Sequence, residues 1–211
     1  MTTLIKSTIS VLFFISLFSC RENQTTTEGK ELNHSTKATS TKLTKDSILL
    51  HLGKRVLSSI KENDFENFVR FIHPGLALRF SPYGYVDTTS DIVLTSESFL
   101  QKRREMIKLN WGHYDGSGDP ILLTMDDYFS KFVYNADFLN AKIISLNTIK
   151  GFGNSLNNLE QVYTNCDYVE YYFPGFDKKY EGMDWCALRL IFKKHVDTYY
   201  LVGIVHDQWT I

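Results

Sequence analysis

Apolar and polar positions alternate most regularly near the end of the chain. Cys186, Leu188, Leu190 and Phe192 alternate with Arg189 and Lys193, and residues 199–205 are again rich in β-branched and aromatic side chains. This pattern predicts two antiparallel strands joined by a tight turn at Val196-Asp197, with one face buried. A third strand is predicted over residues 168–173, which end at Pro174-Gly175. Together these strands form a sheet for the earlier elements to cover.

Upstream the period changes from two to that of a helix. Ile48, Leu49, Leu52, Val56 and Ile60 predict a helix over residues 47–61, with Thr44 or Asp46 as its N-cap and Asn63 at its end. Asp64 then caps a short second helix whose Phe65, Phe68, Val69 and Ile72 share one face, stopped by His73-Pro74-Gly75. Leu78 and Phe80 next point one way and Ala77, Arg79 and Ser81 the other, a strand broken at Pro82. A third helix is expected over residues 96–108, carrying Phe99, Leu100, Arg103, Met106 and Ile107, followed by a loop over residues 111–120. Thr124 with Asp127 has the spacing of a capping box opening a helix through Tyr128, Phe129, Phe132 and Val133. Residues 174–184 are long for a hairpin connection and carry Phe176 and Tyr180, as a lid, a partner contact or a cover for the core.

The first twenty residues have a different character. Lys6 precedes an apolar run over residues 9–18, too short to span a bilayer, which takes roughly 20 residues. Leu17-Phe18-Ser19-Cys20 resembles the bacterial lipobox, although Phe18 is bulkier than usual there. That resemblance implies a cysteine acylated and exposed by cleavage, hence lipidation at Cys20 and stable anchoring by several acyl chains. An ordinary secretory signal cleaved nearby is the alternative. Residues 21–45 include twelve Ser, Thr, Asn or Gln and three apolar residues, too few to offset the entropy of ordering, and read as a polar, disordered tether. The expected organisation is therefore a signal over 1–20, a tether over 21–45 and one domain over 46–211. In a 211-residue chain that is 43% hydrophobic, two full domains are not expected. Residues 46–211 hold 17 basic and 21 acidic residues, a net of −4. Nucleic acid is therefore not expected as a partner, since its binders need a basic stripe.

Asn63-Asp64-Phe65-Glu66-Asn67-Phe68 with His73-Pro74, and the terminal Tyr200-Leu201-Val202-Gly203-Ile204-Val205-His206, resemble the nuclear transport factor 2 and ketosteroid isomerase superfamily. The resemblance implies an α+β fold: N-terminal helices packed on a strongly curved antiparallel sheet in a cone-shaped single domain. It also implies a pocket between sheet and helices, and it makes residues 95–140 an elaboration. Residues 81–85 together with the ending 206–211 look like uncharacterised bacterial lipoproteins, which implies a bacterial cell envelope location after export across the inner membrane and no activity.

Three groups could carry chemistry. His206 and Trp209 sit at the end of the last strand, where His206 and Asp207 must point to opposite faces. His73, Arg79, Ser81, Tyr83 and Tyr85 form the second group, in which Arg79 could clamp a carboxylate or phosphate. The third begins at Trp111, where Asp115, Ser117, Asp119 and Asp126 imitate a calcium loop. Pro120 stands where the turn glycine belongs and Asp126 is shorter than the usual glutamate, so a turn held by Asp side chains is favoured over a metal site. Gly116-Ser117-Gly118 lacks nucleophile-elbow spacing, Gly151-Phe152-Gly153 lacks a nucleotide-loop context, and no Cys or His spacing suits zinc. No catalytic residue and no cofactor is assigned. Cys166 and Cys186 are expected to be too far apart along paired strands to form a disulfide. The leading expectation is a lipid-anchored, non-catalytic domain binding a small apolar or anionic ligand or a protein partner. The alternatives are a pocket enzyme using His206 or Tyr83 in acid/base chemistry, of isomerase, dehydratase or hydrolase type, and a homodimeric assembly module.

Overall fold

The computed structural model describes residues 43–154 and 156–210. The expected signal with Cys20, and the tether up to residue 42, lie outside the described residues. Helix α1, Lys45–Lys61, starts where the Thr44 hydroxyl oxygen accepts from the Ser47 N–H at 3.2 Å, and it buries Leu49, Val56, Leu57 and Ile60. Helix α2, Phe65–Phe68, is capped by Asp64, whose carboxylate accepts from the Asn67 N–H at 3.1 Å. It tightens into a 3-10 turn, Val69–Phe71. Strands β1, Leu78–Ser81, and β2, Ile92–Leu94, follow, then helix α3, Ser96–Glu105. Strands β3, Leu109–His113, and β4, Pro120–Leu123, pair as a hairpin. Helix α4, Met125–Tyr128, runs directly into a π-helical turn, Phe129–Val133, closed by the Tyr134 N–H on the Phe129 carbonyl at 2.7 Å. Then come β5, Ile143–Leu146, α5, Leu159–Val162, β6, Asp167–Phe173, β7, Cys186–His195, and β8, Thr198–Gln208.

Six strands make one curved sheet in the order β2-β1-β8-β7-β6-β5, antiparallel except where β1 runs parallel to β8. Helices and sheet form a single α+β domain, as expected. The register bears out the reading of the cysteines: Asp167 faces Phe192 while Cys186 faces Phe173, and both Cys166 and Cys186 are free thiols. On the helix-covered face, Leu188, Leu190, Ile204 and Leu201 meet Leu49, Val56, Phe68 and Phe80 in the main core. Burying side chains of this size is worth about 1.5–3 kcal/mol each.

Three expectations need correction. Helix α3 stops at Glu105 because Met106 adopts a left-handed conformation (φ 51°), so Met106 and Ile107 are exposed instead of packed. Residues 111–120 belong largely to the β3–β4 hairpin; the glycines that read as loop make its turn, and the Gly118 N–H closes it on the Tyr114 carbonyl. Most consequentially, the terminal strands are not wet on their second face. Residues 147–154 and 156–166 fold over it, and Leu159 joins Val86, Tyr168, Ile191, Val202 and Val205 in a second core. Arg189, expected at a polar position, is fully buried there. Its Nε donates to Glu170 at 2.7 Å, its Nη1 to Asp207 at 2.9 Å and its Nη2 to the Gly151 carbonyl at 3.0 Å. Glu170 in turn accepts from the Lys150 and Gly151 N–H groups at 2.5 and 3.3 Å. A charge this deep requires such full pairing.

Candidate functional site

The space between sheet and helices that the resemblance implies as a pocket is occupied by aromatic rings. Phe65, Phe68, Phe80, Phe99 and Phe129 pack with centroids 5.2–6.2 Å apart. Trp111 belongs to this filling: it is fully buried, stacks on Tyr128 at 3.8 Å, and donates from Nε1 to the Leu123 carbonyl at 2.9 Å. Its role is structural.

A concavity lies elsewhere, at the end of β1. A cleft of about 540 Å³ opens between the segment after β1, the β3–β4 turn, and Asn154 and Leu156. Pro82 ends β1 and turns the chain outward. At Gly84 a Cβ would meet Asp207 Oδ2 at 2.5 Å, so only glycine lets this segment run so close to the sheet. The segment thereby presents Tyr83 and Tyr85 to the cleft, facing Tyr114 and Asp115 of the hairpin turn. Asp91 closes the floor. The Ser81 hydroxyl donates to its carboxylate, as does the Asp87 N–H at 3.1 Å. Burial nevertheless raises the Asp91 pKa to about 6, outweighing the hydrogen bond from Ser81. Asp87 behaves in the opposite way. The hydroxyls of Ser90 and Thr89 donate to it at 2.6 Å each and hold it well below the usual carboxylate range. Two neighbouring carboxylates are thus set apart by environment, one always charged and one changing charge near neutrality.

Tyr83 and Tyr114 also form one wall of a second cavity, of about 320 Å³, bounded on its far side by Trp209 and Thr210. The π-helical turn supplies Lys131, whose Nζ donates to the Tyr114 hydroxyl at 2.9 Å, and Phe132, packed edge-on to Tyr83 at 5.8 Å.

The residues proposed from sequence separate into distinct places. Tyr83 and Tyr85 line the cleft, buried Ser81 supports it through Asp91, and Trp209 lines its neighbour. Arg79 lies behind the cleft floor, where its Nη1 donates to the Asp87 carbonyl at 3.4 Å and its charge faces Asp91, not the cavity lining. His73 does not join them. Its N–H pairs with Leu201, whereas Ser81 pairs with Val205, four residues further along β8. The His73 Nδ1 accepts from the Gly75 and Leu76 N–H groups at 3.0 Å each, holding the turn after α2, and burial and the nearby His195 lower its pKa.

His206 is wholly buried against Phe132. Its partners assign the tautomer: Nδ1–H donates to the Pro82 carbonyl at 3.0 Å, and Nε2 accepts from the Asn135 amide at 3.2 Å. Burial pushes its pKa down to about 4. The imidazole stays neutral with both nitrogens engaged, which leaves none for a substrate. Asp207 points to the opposite face toward Arg189, as strand alternation requires. In the hairpin turn, the Asp115 carboxylate accepts from the Gly116 N–H and the Ser117 hydroxyl oxygen from the Asp119 N–H, both at 3.2 Å, while Asp126 pairs with Arg103. Among the described residues no His, Cys, Asp and Glu cluster is arranged to hold a metal ion. Sequence reasoning missed Asp91, Tyr114 and Lys131. Only the turn-rich run from Asp87 to Asp91 carries a local signal.

No family model and no curated protein matches the chain. Among solved structures, it is similar to an NTF2-like protein from Cytophaga hutchinsonii, with 10% sequence identity and a TM-score of 0.37 over 79% of this chain and 99% of that one.

Proposed function

We propose that the domain is a ligand-binding module, held at a bacterial envelope membrane by a lipid on Cys20. The observation that carries the binding reading is the Asp91 cleft. It is a concave site walled by Tyr83, Tyr85 and Tyr114 over a carboxyl group whose pKa burial has raised. Asp87, Asp91 and Asp115 line it without any Arg or Lys, so a cationic or hydroxyl-rich polar ligand fits better than the anionic one that Arg79 implied from sequence. Tyrosine faces suit the flat apolar side of such a ligand, and carboxylates accept its donors.

An acid/base reading remains as the second possibility, and the geometry moves it from His206 to Asp91. A carboxyl group titrating near pH 6 beside Tyr83 has the protonation range a general acid or base needs.

Native mass spectrometry of the full-length chain, released gently from membranes in mild detergent, tests the binding reading. The wild type should retain a small-molecule mass that the double variant Tyr83→Ala, Asp91→Asn lacks. Identical bare masses for both proteins would end it.

A further inference from the structure

The second cavity has features that the Asp91 cleft does not need. Its rim includes a π-helical turn, a conformation found in well under 1% of residues and concentrated at functional sites. That turn points Lys131 toward the cavity, where among the described residues its ammonium has no carboxylate within salt-bridge distance. Thr210 lines the same cavity and is 8% exposed, and among the described residues its buried Oγ1 has no hydrogen-bond partner. A buried hydroxyl left unsatisfied is costly unless something outside the chain completes it. Trp209 stands at the mouth, 40% exposed, whereas Trp111 and Trp185 are buried at 0% and 5%. The two cavities share Tyr83, Tyr114 and Asp115 in their linings, and Trp209 lines the second.

We infer that the two cavities form one groove that binds an oligosaccharide chain, with one sugar in the Asp91 cleft and another against Trp209. This rests on the ligand-binding reading above and deepens it by naming the ligand class. The groove alternates flat aromatic faces with groups that donate or accept hydrogen bonds: Asp91, Tyr114, Lys131 and Thr210. A chain of rings that are apolar on their faces and hydroxylated on their edges matches that alternation. A fatty ligand would leave the polar groups unpaired, and a single small polar molecule would fill one cavity and leave Thr210 unsatisfied.

The test is calorimetric titration of the full-length chain in a zwitterionic detergent with β-1,4-linked oligomers of glucose and of N-acetylglucosamine, from monomer to pentamer. Affinity should rise about tenfold or more from monomer to oligomer. Trp209→Ala should bring the oligomer down toward monomer affinity, and Trp209→Phe should restore most of the gain. Because Trp209 is the exposed tryptophan, oligomers and not monomers should shift the intrinsic emission of the wild type. Saccharide affinity that ignores chain length, or survives Trp209→Ala unchanged, overturns the extended groove and leaves the Asp91 cleft standing. Binding of basic peptides with no saccharide bound at any length overturns the glycan class. Failure of every probe, with no mass retained by the natively purified chain, removes both readings.

Discussion

At the scale of single residues, the most informative group is one that the sequence offered as a catalyst and the structure assigns to packing. His206 alternates correctly on β8 and faces inward, yet the Pro82 carbonyl and the Asn135 amide occupy both its nitrogens. Its pKa falls from 6.5 to about 4 on burial. The unfolded chain therefore takes up a proton that the folded chain refuses, so this group's contribution is fully present above about pH 6.5 and is lost as pH falls toward 4. The loss is on the order of 3 kcal/mol. Asp91 runs the other way: its folded pKa of about 6 exceeds the usual 3.8, so its burial cost is relieved progressively as pH falls from about 6 toward 3.8. Comparing wild type with His206→Gln at each pH cancels the Asp91 contribution. Urea unfolding between pH 7 and pH 4 should show the wild type losing more stability than the variant. Parallel curves would mean that His206 is protonated in the folded state. Nothing local in the sequence separates a satisfied histidine from a catalytic one, because the deciding partners lie 71 and 124 residues away.

At the scale of elements, legibility followed the strength of the period. Helices α1 and α2 and strands β6, β7 and β8 each bury a regular stripe against the main core, and their positions could be read directly. The β3–β4 hairpin could not, since its strands are five and four residues long, Gly112 interrupts β3, and they bury little beyond Trp111 and Ile121. The π-helical turn has no residue pattern of its own, which is why Lys131 was missed. Arg189 shows the deepest limit of period-two reading. Alternation placed it correctly on the second face, but whether that face is wet depends on residues 147–166, a segment whose own sequence shows no regular period. The consequence is measurable. Arg189→Met should cost roughly 3–5 kcal/mol in urea unfolding, because Glu170 and Asp207 would stay buried without their cation. A loss below about 1 kcal/mol would show that residues 147–158 lift away and rehydrate the carboxylates, making this segment a mobile cover instead of a fixed wall.

For the whole molecule, the proposed lipid anchor can be set against the other ways a domain could be held at a membrane. Electrostatics argues against direct adsorption, since residues 46–211 carry a net charge of −4 and the leaflet surfaces that attract proteins are anionic. Among the described residues no helix is long and apolar enough to cross a bilayer. Attachment through Cys20 meets neither objection: acyl chains contribute about 0.8 kcal/mol per buried methylene whatever the domain's charge. If residues 21–45 serve as the proposed tether, a flexible chain of that length would have a root-mean-square reach of about 25–30 Å, room for a domain to stand off the headgroups. The two modes of attachment respond oppositely to salt, because screening weakens adsorption and leaves acyl insertion intact. Wild-type protein should therefore stay in the membrane fraction through a high-salt wash and leave it in detergent, while Cys20→Ala should appear in the soluble fraction without either treatment. If Cys20→Ala instead stays with the membrane and salt releases it, a charged surface on the domain or its tether is the anchor, and the cleft must face the bilayer differently from the way a flexible tether allows.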